Sequence, residues 1–159
     1  MMTNIKKYIV FIIAVVILLG SFAAINVIGM QEMDVVSQLK LGEKYLSELQ
    51  YEEALIAFNK ALEIEPKNVD AKLGIADIFI QTDKVNDAIL FLAEELEKYD
   101  DAELYTKLAE IYDNSGEYEK AISLLSQAIN KSDDEELKKV QKELLNKHMS
   151  LNSTVSELF

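Results

Sequence analysis

The chain has 159 residues, no Cys and a net charge of −12, which allows one domain of roughly 100–120 residues plus an appendage. Without Cys there are no disulfides and no thiolate metal sites, and the redox compartment stays undetermined. All 16 basic residues are Lys and two precede an apolar run, so the remainder sets 14 Lys against 28 Asp and Glu; such a surface repels phosphate backbones, which argues against nucleic acid as a partner.

Residues 1–7 end in Lys6 and Lys7, and the 23 residues from Tyr8 to Met30 carry no charge. As a helix rising about 1.5 Å per residue, the run extends roughly 35 Å, enough to cross a hydrocarbon core of about 30 Å with some tilt. Its strongly apolar residues, at roughly −0.3 to −0.6 kcal/mol each, outweigh Ser21, Asn26 and the two glycines. The expectation is an uncleaved transmembrane signal anchor over 8–30. A cleaved signal peptide competes, because Ser21-Phe22-Ala23 fits a small-x-small site after which the mature chain would start at Ala24. The apolar run continues through Ala24, Ile25, Val27 and Ile28, past the point where a mature chain turns polar, and this favours the anchor. Lys6 and Lys7 face Glu32 and Asp34 across the run, so the predicted topology is single-pass, with the N-terminus cytoplasmic and the rest extracytoplasmic.

Beyond the anchor a pattern recurs. Gly42, Tyr45, Ala54 and Phe58 become Ala76, Phe79, Ala88 and Leu92 after 34 residues, then Ala109, Tyr112, Ala121 and Leu125 after a further 33. Self-similarity at this period signals stacked units, each unable to bury its apolar faces alone. The predicted helices are 35–48 and 51–64, 69–81 and 85–99, and 102–114 and 117–130, giving units over 35–68, 69–101 and 102–135. Pro66 stops the second helix, and Gly116 permits a positive backbone angle in the third turn. Asp133 with Glu136 suggests a capping box that opens a capping helix over 136–148, with Leu137, Val140, Leu144 and Leu145 on one face. Residues 149–159 read as a tail without helical pattern.

Leu41, Gly42, Tyr45, Ala54, Phe58, Ala61 and Pro66 together resemble the tetratricopeptide repeat. The resemblance covers residues 35 to about 135 and implies an all-α solenoid of three helical hairpins closed by a capping helix. Gln38, Lys72 and Tyr105 stand where the family carries tryptophan, Glu95 stands where it prefers Ala, and no Pro closes the second or third unit. These departures weaken the match of the second and third units individually, while three copies in near-constant register keep the resemblance strong.

No enzyme, cofactor or metal site emerges. His148 is the only histidine, so a nucleophile lacks a base partner, and it reads as a solvated residue near a helix C-terminus. Acidic pairs such as Asp100-Asp101 and Asp133-Asp134 read as helix-start charges.

The resemblance further implies that the first helix of each hairpin lines a concave groove. It places Leu39, Lys40, Glu43 and Leu46 there, then Leu73, Asp77, Ile80 and Gln81, then Thr106, Lys107, Glu110 and Asn114. Glu43, Asp77 and Glu110 are equivalent and form an acidic row beside Leu39, Leu73 and Ile80, although Lys40 and Lys107 stand three residues from Glu43 and Glu110. The expected partner is a protein or peptide with basic and apolar residues. Some family members clamp a terminal carboxylate with Lys and Asn; Leu39 and Glu43 at the corresponding positions argue against that. The expected function is a membrane-anchored scaffold, with a ligand-sensing accessory subunit of an envelope enzyme as the alternative.

Overall fold

The computed structural model describes residues 34–156. The expected cytoplasmic segment, the apolar run 8–30 and the cleavage site at Ala23 lie outside the described residues. Among those described, no helix is long and apolar enough to cross a membrane. Seven helices and no strand form there: α1 over 34–47, α2 Tyr51–Ile64, α3 Val69–Gln81, α4 Val85–Lys98, α5 Ala102–Asn114, α6 Tyr118–Ser132 and α7 Glu135–Ser156.

The same turn closes each hairpin. Leu49, Asp83 and Gly116 take left-handed φ angles of 60°, 61° and 77°. The next amide then reaches back, from Gln50 to the Tyr45 carbonyl, Lys84 to Phe79 and Glu117 to Tyr112, each at 2.8 Å. This closure satisfies carbonyls that a helix end leaves bare. Gly116 adopts it freely, as expected, whereas Leu49 does so at a cost of about 1–2 kcal/mol, with no side-chain polar group to offset it.

A second device starts the first helix of each following unit. Asn68 Oδ1 accepts from Ala71 N–H at 2.9 Å, Asp101 Oδ1 from Glu103 at 2.9 Å, and Asp134 Oδ1 from Glu136 at 2.8 Å. The three caps are 33 residues apart. The expected cap at Asp133 is therefore corrected by one residue: Asp133 ends α6 in the left-handed region, its N–H donating to the Ile129 carbonyl. The last helix also runs further than 136–148 and takes up most of the expected tail. Ser150, Asn152, Ser153 and Thr154 are poor helix formers, which hid the extension.

Small residues stand where helices cross. Ala54, Ala88 and Ala121 are fully buried, and the Phe58 ring lies between Gly42 and Gly74. A Cβ added at Gly42 would sit 2.7 Å from that ring, and one at Gly74 closer still. Leu41, in contrast, is exposed. Three apolar clusters follow in series, centred on Phe58, Leu92 and Leu125. Leu137, Val140 and Leu144 of α7 join the third cluster, while Leu145, expected on the same face, is exposed.

Two departures from the family pattern meet in the second unit. Lys72, in the tryptophan position, is buried and its Nζ lies 2.9 Å from Glu95 Oε2, the other departure from the family pattern. The contact is an ion pair with off-line hydrogen-bond geometry. The ring of Tyr99 lies against the same ammonium, 3.5 Å from Nζ to its centroid.

Curvature comes from which helices meet. The backbones of α3 and α5, and of α5 and α7, approach closely, whereas those of α2, α4 and α6 stay apart from one another. The array therefore bends toward its first helices, and α3, α5 and α7 line its inner side.

Candidate functional site

On this inner side α3, α5 and α7 enclose a cleft of about 320 Å³. Leu73, Ala102 and Val140 supply apolar walls, and Glu103, Glu110 and Glu136 stand around them. Lys107 is the single cation lining the cleft, and its Nζ lies 2.6 Å from Asp77 Oδ1 on the preceding unit. The expected pairing of Lys107 with Glu110 is thus corrected: the side chain crosses between units and leaves Glu110 exposed without an ion pair among the described residues.

A smaller cleft of about 200 Å³ continues along the seam of α5 and α7. Glu110 and Val140 belong to both, so the two form one furrow. Its far end is closed by Asp113, whose carboxylate accepts from Lys147 and, at 2.6 Å, from His148 Nε2. Burial works to raise the Asp113 carboxyl; the bonds from Lys147 and His148 outweigh it and hold it below the usual range. The His148 ring also stacks on Tyr118 with centroids 3.8 Å apart. His148 is consequently a half-buried docking residue, not the solvated one expected, because α7 continues past it.

Of the twelve groove residues read from the sequence, Leu73, Thr106, Lys107 and Glu110 meet at the cleft, and Asp77 joins them through Lys107. The Thr106 hydroxyl donates to its own helix, at 2.9 Å from the Ala102 carbonyl. Leu39 and Leu46 are half-buried against the Phe58 cluster, and Ile80 against the Leu92 cluster, so they serve the core as well as any groove. Lys40 and Glu43 are exposed on α1, and Gln81 and Asn114 end α3 and α5.

The sequence reading gave Glu136 to a capping box and Val140 to the apolar face of the last helix, and placed neither of them, nor Glu143, in the groove. The signal was present: they stand 33 residues after Glu103, Lys107 and Glu110. Alpha-helix α7 is a fourth first helix, and its inward face repeats the positions of α5.

No group of three or more His, Asp or Glu side chains among the described residues is placed to hold a metal ion. The arrangement is a curved stack of helical hairpins with an open inner face, the class of fold that presents a surface to a partner. Two family models described as Tetratricopeptide repeat match, one over residues 45–105 and the other over 104–139. The chain belongs to the tetratricopeptide repeat family. A comparison with curated proteins gave no match.

Solved structures share the fold at low identity. The Arabidopsis OM64 TPR domain superposes with a TM-score of 0.52 at 14% identity, over 74% of this chain and 98% of that one. The TPR2AB domain of yeast Sti1, in complex with pHSP90, gives 0.59 at 15% identity over 76% of this chain and 50% of that one. Pseudomonas aeruginosa pilF gives 0.57 at 21% identity, over 75% and 55% respectively.

Proposed function

We propose that this protein is a non-catalytic scaffold that holds a segment of a partner protein on its inner face and is kept at a membrane by residues 8–30. The observation that carries the reading is the open furrow along α3, α5 and α7, apolar at its walls and unblocked by side chains of the described residues. Extended or helical segments bind such surfaces through apolar anchors, with charge setting specificity. The similar fold of the yeast Sti1 domain in complex with pHSP90 supports a protein or peptide occupant. An acidic chaperone tail does not suit this chain, since Leu39 and Glu43 stand where the clamp would need cationic or amide groups. A segment with Lys or Arg between aliphatic residues does.

The uncharged run after Lys6 and Lys7 supports the membrane part, with the N-terminus cytoplasmic and the repeats outside the cytoplasm. Photocrosslinking in native membranes tests both halves. A crosslinker placed at Gln81 or Asn114 is expected to give a discrete protein adduct identified by mass spectrometry, and one at Lys60 on α2 none. Adducts only from Lys60, or a protein that leaves the membrane on carbonate washing, would overturn the proposal. Protease added to intact cells should digest the repeats, and full protection would reverse the topology.

A further inference from the structure

We infer that the furrow between α5 and α7 is a docking site for one Lys or Arg side chain of a partner segment together with the aliphatic residue beside it. The inference deepens the scaffold reading and rests on it. Size comes first: about 320 Å³ is at the lower end of ligand-pocket volumes, roughly 300–1,000 Å³, and so suits one or two side chains rather than a cofactor.

The walls set the chemistry. Leu73, Ala102 and Val140 offer apolar surface to an aliphatic neighbour or to the methylene stem of the cation. Charge complementarity selects the head group. Three carboxylates on this face are already paired, Asp77 by Lys107, Glu136 by Lys139 and Asp113 by Lys147 and His148. Glu103, Glu110 and Glu143 make no ion pair with another described residue. Lys107, the one cation in the cleft, is spent on Asp77, so nothing there would receive a carboxylate or phosphate. An incoming ammonium or guanidinium meets unpaired acceptors beside a low-dielectric wall, where charge-assisted hydrogen bonds are strongest. Because Val140, Glu136 and Glu143 belong to α7, that helix is a wall of the site as well as a cover for the third unit.

The test is selection of random dodecapeptides displayed on phage against the full-length protein in detergent, followed by affinity measurement of the winners by fluorescence anisotropy. Winners are expected to carry Lys or Arg adjacent to an aliphatic residue, and replacing that cation by Gln should weaken binding at least tenfold. Glu103→Gln/Glu110→Gln/Glu143→Gln should remove the preference, Glu110→Lys should shift selection toward Asp or Glu, and Glu63→Lys on α2 should change neither. Circular dichroism melting of each variant separates loss of binding from loss of fold. Peptides that bind without preference for cations, or a cation preference unmoved by Glu110→Lys in a folded variant, would overturn the inference and leave the scaffold reading standing. Failure to select any peptide would count against both.

Discussion

Lys72 and Glu95 are each odd for their positions, and the oddness of one accounts for the other. A lysine 1% exposed is tolerable only when its charge is met, and Glu95 Oε2 at 2.9 Å with the Tyr99 ring face meets it. Burial tends to raise the Glu95 carboxyl, while bonds from Lys98 and Lys72 pull it below the usual range. Glu95→Ala alone should therefore cost about 3–5 kcal/mol, because it strands a buried ammonium, whereas Lys72→Met with Glu95→Ala should cost far less. Urea denaturation of the single and double variants measures the difference, and additive losses would show that the pair is not coupled. Neither the pairing nor the left-handed turn at Leu49 was legible in the sequence. Both depend on a partner or a backbone angle that the residue's own type argues against, whereas Gly116 announces its angle.

At the scale of elements, α7 differs most from its expected form. Its apolar stripe and first-turn acids read correctly as a helix, but its length and its kinship with α3 and α5 did not, since Lys142 and Leu145 stand where the earlier units carry a small residue and an aromatic. The docking of its later turns depends on Asp113. That carboxyl is held below its ordinary value of about 4, so the stabilisation is present above the unfolded value and lost as pH falls through the lower folded one. Hydrogen exchange should show the amides around His148 losing protection selectively as pH falls below about 4. In Asp113→Asn they should already be less protected at pH 7, at a cost of about 1 kcal/mol given the exposed Lys147 end, with no further selective loss in acid. Unchanged protection through that acid limb would mean that apolar contacts alone seat the helix.

Over the whole molecule, most of the hairpin positions were legible from spacing alone. Gly42, Ala54, Ala88 and Ala121 mark the crossings, and a period near 34 leaves little freedom once each unit must cover the next. The furrow was half legible, because α3 and α5 contribute residues the repeat predicts while its remaining wall comes from a helix read as a cap. What the period could not convey is which charges neutralise one another, since Lys107 reaches Asp77 across units rather than Glu110 within its own helix.

That reach gives the arc a stitch on the inside of its bend. Lys107 and Asp77 are both partly open to solvent, and at 1 M salt, where screening acts over about 3 Å, their attraction falls away. With the backbones of the outer helices held apart, the inside seam is where curvature is set, so dissolved salt should act as a loosening hand on it. Small-angle scattering should record a larger radius of gyration at 1 M than at 50 mM sodium chloride, and Lys107→Met should erase the difference.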